Sequence, residues 1–168
     1  MNIKVKNLSK KFNNFIAVNN INFTLEKNKT LGLLGSNGCG KTTSIGMMLG
    51  LITPTSGEVI IDNKNVNNTN RSDLLSKMNF ASPYIELPKK LTVQQNLQVY
   101  GRLYGVKDLK NRISEISEDL NLNNFLNKNT GELSSGQKNR VSLAKSLINK
   151  PDILFLDEPT ASLDPDIG

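Results

Sequence analysis

Gly35-Ser36-Asn37-Gly38-Cys39-Gly40-Lys41-Thr42 decides the reading of this chain. It matches G-x-x-x-x-G-K-[ST], the phosphate-binding P-loop, a pattern that carries weight only between a strand and a helix. Leu31-Gly32-Leu33-Leu34 reads as a short buried strand before it, and Thr43–Leu49 reads as a helix after it. Glycines let backbone N–H groups turn inward around an anion. The helix N-terminus adds partial positive charge and unpaired donors. In that frame Lys41 reaches the outer phosphates of a nucleotide and the Thr42 hydroxyl ligates Mg²⁺. Cys39 lies inside the phosphate cradle, so a bulky thiol reagent there is expected to block the nucleotide.

The bulk composition sets the limits. With 168 residues, 37% hydrophobic and 21% charged, the chain is long enough for one domain with a real core. Its single cysteine excludes an internal disulfide and fits a reducing compartment. No N-terminal apolar segment reads as a signal, and no run approaches the roughly 20 apolar residues of a spanning helix. The net charge is +6, with Lys4, Lys6, Lys10, Lys11, Lys27, Lys29 and Lys41 early in the chain. That charge suits a polyanion such as ATP or an anionic lipid surface. The lysines are not interleaved with stacking aromatics, so nucleic acid is not expected as a partner. Asparagine is abundant, and its runs at 13–14, 19–20 and 67–68 read as turns.

Periodicity gives the organisation. Ile3–Leu8 and Ile21–Leu25 alternate apolar and polar residues as strands do. Pro54–Gly57 reads as a turn before a strand at Glu58–Asp62, and 71–78 as a short helix. Thr92-Val93-Gln94-Gln95 has the spacing of a capping box and opens a helix to about Tyr104. Asp108 is placed to cap a second helix, with Leu109, Ile113, Ile116 and Leu120 on one face. Ser134-Ser135-Gly136-Gln137 repeats the capping-box spacing, and its helix puts Val141, Ala144 and Ile148 on one side before Pro151. Ile153-Leu154-Phe155-Leu156 is continuously apolar, as in a parallel strand buried on both faces. The fold class implied is α/β, a P-loop core interrupted by a mostly helical insert at about 85–135.

Two further motifs carry chemistry. Asp157-Glu158 follows the buried strand, the Walker B arrangement. Its Asp157 carboxylate holds Mg²⁺ and Glu158 polarises the attacking water. Leu133-Ser134-Ser135-Gly136-Gln137 joins a serine hydroxyl, a glycine N–H and a helix dipole, the parts of a second anion site. One nucleotide cannot serve both this site and the P-loop of the same chain, so a second chain is implied.

Four motifs in this order, at 35–43, 133–137, 153–159 and 162–164, make the chain resemble the nucleotide-binding domain of an ABC transporter over essentially all of residues 1–168. The resemblance implies a P-loop NTPase core with an antiparallel β subdomain, an inserted helical subdomain and a sheet incomplete at the C-terminus. It implies that Phe12 stacks on adenine with Val18 beside it, and that Gly35, Ser36, Asn37, Gly38, Cys39, Gly40, Lys41, Thr42 and Thr43 bind ATP. Leu133, Ser134, Ser135, Gly136 and Gln137 are then the signature that meets ATP held by the partner. Ser162, Leu163 and Asp164 are the D-loop, Thr42 and Asp157 the Mg²⁺ ligands and Glu158 the catalytic residue. The expected role is an ATP-hydrolysing subunit that powers transport through a separate integral-membrane permease. It would act as a homo- or heterodimer on the cytoplasmic face of the membrane. The segment Leu91–Leu97 with Tyr100–Gly105 resembles ATPases of the ABC-2 permease group. The alternatives are a soluble ABC-type ATPase of translation or DNA repair and a non-hydrolysing nucleotide-binding fragment. No heptads, no cysteine pairs and no second P-loop support the former.

The sequence departs from the family pattern in three places. The Q-loop glutamine is absent near Pro83, where Ser82 is a candidate substitute. Ser135 stands where the signature has glycine. No histidine occurs anywhere in the chain, so the switch histidine that follows Walker B in the family is missing. The expectation is an incomplete domain that binds nucleotide weakly and hydrolyses little by itself.

Overall fold

The computed structural model describes residues 1–67, 72–82 and 86–159. They fall into two compact units, 1–75 and 76–168.

The first unit is built on an antiparallel sheet. β1 (Ile3–Phe12) and β2 (Phe15–Leu25) form a hairpin that turns at Asn13. β3 (Ser56–Ile61) pairs with the other edge of β1, and β4 (Lys64–Asn65) follows, giving the order β2-β1-β3-β4. Ile3, Val5, Val59 and Ile61 alternate onto one buried face. The alternation then skips to Leu8, because Asn7 takes a left-handed φ of 47° and the register shifts there. Gly57 is required opposite this bulge, since a Cβ would strike the Asn7 carbonyl oxygen. The hairpin is longer than the periodicity suggested. Asn19-Asn20 therefore lies inside β2 instead of at a turn, with Asn20 at a φ of 49°. Asparagine tolerates that conformation better than any other residue with a Cβ.

α1 (Lys41–Met48) follows the P-loop and buries Ile45, Met47 and Met48. It closes at Gly50, whose φ is 67° and whose N–H donates to the Met47 carbonyl. The expected strand at 31–34 does not form. These residues pair with no strand among the described residues, and Leu34 is 96% exposed. A strand exists only through hydrogen bonds to a neighbour, and an apolar run without one stays irregular. α2 (Ser72–Leu75) is shorter than the expected 71–78 helix.

Among its described residues the second unit joins a parallel pair of strands to three α-helices. β5 (Met78–Ala81) runs parallel to β6 (Ile153–Leu156), with Met78 opposite Ile153 and Ala81 opposite Leu156. α3 (Val93–Leu103) and α5 (Ser135–Leu147) each open with a complete capping box, at Thr92/Gln95 and Ser134/Gln137. α4 (Leu109–Asp119) does not use the expected cap. The Asp108 carboxylate accepts from the Asn111 side chain at 2.7 Å, and no side chain caps this helix. One core unites Val93 and Leu97 of α3, Ile113 and Ile116 of α4, and Val141, Ala144 and Ile148. Gly101 lets α3 approach α4 closely, for a Cβ there would strike Leu109. α5 is anchored at its far end by Arg112, which donates to the Leu147 and Ile148 carbonyls at 2.6 and 3.3 Å.

Candidate functional site

In the first unit the P-loop is a turn that feeds a helix. Cys39 N–H donates to the Ser36 carbonyl at 3.2 Å, closing a β-turn with Gly38 at a φ of 82°. Gly40 caps α1 from a left-handed φ of 94° and supplies no side-chain cap hydrogen bond. A Cβ at Gly40 would strike the Ala17 carbonyl and come within 3.0 Å of Val18 Cγ2. That contact joins Val18, which is 5% exposed, to the loop. Lys41 Nζ folds back on its own loop, donating to the Gly35 and Ser36 carbonyls at 2.8 and 2.9 Å. Its ammonium is thereby held within the curve of the turn, where phosphate oxygens would compete for the same hydrogens. Cys39 is exposed, with Sγ 4.0 Å from Lys41 Nζ and packed where a Cβ on Gly35 would fall.

Phe12 lies at the tip of the hairpin, paired with Phe15 and 45% exposed. Lys10 Nζ stands 4.9 Å from its ring centroid. Since Lys10 pairs with Val18 in the register, Phe12 and Val18 belong to one end of the hairpin. An exposed aromatic face beside a cation is open to stacking.

The second unit holds the other two motifs. Leu133 is buried, and Ser134 caps α5. Ser134 Oγ accepts from Gln137 N–H at 3.3 Å, and Gln137 Oε1 accepts from Ser134 N–H at 3.0 Å. Ser135 is exposed and Gly136 half-buried. Asp157 directly follows β6, 4% exposed, its N–H donating to the Ala81 carbonyl at 2.9 Å. Glu158 follows at a φ of 47°, uncommon for a residue with a side chain and typical of functional turns. A cleft of about 190 Å³ collects Gly136, Asn139, Ser142, Asp157, Glu158 and Ser82. Lys145 of α5 donates to the Phe80 carbonyl at 3.3 Å, and burial holds its ammonium below the usual lysine range. The D-loop residues Ser162, Leu163 and Asp164 and the Q-loop position at Pro83 lie outside the described residues.

The ABC transporter family model matches residues 18–161. The chain belongs to the ABC transporter family. This ABC chain is 38% identical over 97% of its length to the "Probable multidrug ABC transporter ATP-binding protein YbhF" of Escherichia coli, of which it spans 28%. It is 41% identical over 96% of its length to the zinc import ATP-binding protein ZnuC of Rickettsia bellii, of which it spans 64%. Among solved structures it superposes on a dimeric ATP-binding cassette in a post-hydrolysis state bound to ADP and Pi. The TM-score is 0.84 and the identity 29%, covering 98% of this chain and 77% of the other. The ABC chain thus has the P-loop NTPase fold of these cassettes and spans less than two thirds of the curated relatives named here.

Sequence reasoning overlooked β5. Four residues are too few to display a period, and only pairing with β6 makes them a strand. It also overlooked Ala17, whose carbonyl fixes the identity of Gly40; no local pattern signals a backbone contact across the fold.

Proposed function

We propose that this chain binds Mg-ATP through residues 35–43 and, as part of the working protein, hydrolyses it to power transport through a separate integral-membrane permease. The observation that carries the reading is the P-loop itself: a left-handed Gly40 with no room for a side chain, opening an uncapped helix, with Lys41 folded over the turn. Family membership over residues 18–161 supports it. Phe12 and Val18 would seat the base. Phosphate oxygens would replace the Gly35 and Ser36 carbonyls as acceptors for Lys41.

The protein donors suit Mg²⁺ of the kind held mainly by phosphates and water. The candidate protein ligands are Thr42, on the first turn of α1, and Asp157, directly after β6. No cluster of three metal-ligating side chains exists among the described residues. When bound, the ion neutralises charge on the transferring phosphoryl group. Glu158 is the base that orients and deprotonates the attacking water. The signature at Leu133–Gln137 is read as completing the site of a second copy or related domain. A position on the cytoplasmic face of the membrane, docked on a permease, follows from this role. The relatives are named for different cargoes, multidrug and zinc, at similar identity, so the cargo is assigned to the permease.

Calorimetric titration with Mg-ATP tests the reading. Lys41→Ala is expected to abolish the isotherm. Glu158→Gln is expected to keep it while turnover falls by roughly 10²–10⁴, the contribution of a general base. Unchanged affinity in the first variant, or unchanged turnover in the second, contradicts the assignment.

A further inference from the structure

A buried polar clasp precedes the signature, and nothing in the nucleotide site accounts for it. Asn96 of α3 is 1% exposed. Its Nδ2 lies 3.1 Å from the Thr92 carbonyl and 3.3 Å from both the Pro88 and Leu91 carbonyls. Thr130 Oγ1 stands 3.5 Å away. Two amide hydrogens thus sit at the focus of four acceptors. Thr130 is 4% exposed and donates its one hydroxyl hydrogen to the Pro88 carbonyl at 2.8 Å. The backbone repeats the join: Thr130 N–H donates to the Leu91 carbonyl and Gly131 N–H to the Lys89 carbonyl, at 3.0 and 3.1 Å. A Cβ on Gly131 would stand 3.2 Å from the Lys89 oxygen, so the two segments touch.

This arrangement has a cost that needs a reason. Asn96 Oδ1 is buried and has no hydrogen-bond partner among the described residues. Buried acceptors are almost always satisfied, and an exception calls for an explanation. A leucine of similar size would fill the space without the orphan oxygen. Its amide donors distinguish asparagine from that leucine, and they gather the loop Pro88–Thr92. Thr130 opens the short 3₁₀ turn Thr130–Glu132, which leads directly into Leu133 and the Ser134 cap of α5.

We infer that Asn96 and Thr130 are positioning residues for the signature: their buried hydrogen bonds to Pro88–Thr92 fix where Leu133–Gln137 begins, and so the geometry with which it meets nucleotide held by a second copy. The inference rests on the proposed function, and it goes beyond that function by assigning these two side chains. The signature touches ATP; Asn96 and Thr130 act only through it. Misplacing a phosphate-binding group by about 1 Å can cost about a hundredfold in rate.

The test compares Asn96→Asp, which keeps the size and removes both donors, with Thr130→Val, which removes one hydroxyl without changing shape, and with Thr130→Ser, which restores it. Hydrogen exchange read by mass spectrometry reports the clasp directly. Amides 130–137 should exchange roughly tenfold faster in Asn96→Asp and Thr130→Val, those at 142–147 should not change, and Thr130→Ser should match the parent. Steady-state assays should show ATP affinity within about twofold of the parent and kcat lower by up to about a hundredfold, with Thr130→Ser restoring it. Should Asn96→Asp fail to fold, Thr130→Val decides. Parent-like exchange at 130–137 in Thr130→Val overturns the inference, as does a loss of ATP affinity equal to the loss of kcat. A parent chain that fails to bind Mg-ATP would count against the proposed function, and where its turnover by itself is too slow to measure, the exchange arm decides the clasp.

Discussion

Two helix N-termini in this chain are assigned to phosphate, and they are built in opposite ways. α1 opens at Gly40, which has no side chain to spend on the helix end. α5 opens at Ser134, whose hydroxyl and Gln137 partner already satisfy both donors of the capping box. An N-terminus without a side-chain cap leaves backbone donors to a ligand, and one with a capping box is satisfied before any ligand arrives. The difference suits different tasks. Under the proposed function α1 holds phosphate in a single chain. In the same reading α5 keeps its own structure until a second chain brings nucleotide to it, and the Ser134 hydroxyl would then be the group to exchange partners.

Breaking the α1 end should have the larger effect. Gly40→Ala places a Cβ against the Ala17 carbonyl and forces a left-handed φ on alanine. Strain of this kind costs about 1–3 kcal/mol, so ATP affinity measured by titration should fall by roughly tenfold or more. Full affinity in this variant would show that the close approach to Ala17 is not needed for binding. Breaking the α5 end should be milder for the single chain. Ser134→Ala removes the cap, and urea denaturation should show a loss of about 1 kcal/mol, with ATP affinity unaltered. If Ser134→Ala weakened ATP binding by a single chain as much as Gly40→Ala does, the division of labour between the two ends would be wrong.

Legibility in the sequence followed the same division between local and distant causes. Both capping boxes were visible because a serine or threonine and a glutamine three residues later make the whole interaction. The P-loop was visible because glycine spacing encodes backbone shape directly. Val141, Ala144 and Ile148 were placed correctly by helical period alone, and all three are fully buried. The strand at 31–34 was read from its apolar run, yet a strand needs a partner that composition cannot supply. Asp108 has the right type for a cap, but its carboxylate went to Asn111, a competition between neighbours that spacing leaves open. The Asn96–Thr130 clasp was invisible because its partners lie far apart in sequence and it has no period.

The contrast between the two helix ends is tested most directly by hydrogen exchange of the dilute, monomeric protein with and without Mg-ATP. The account predicts slowed exchange across residues 35–43 and the first turn of α1, and no change at 133–137. Protection at 133–137 of the monomer with none at 35–43 would contradict it.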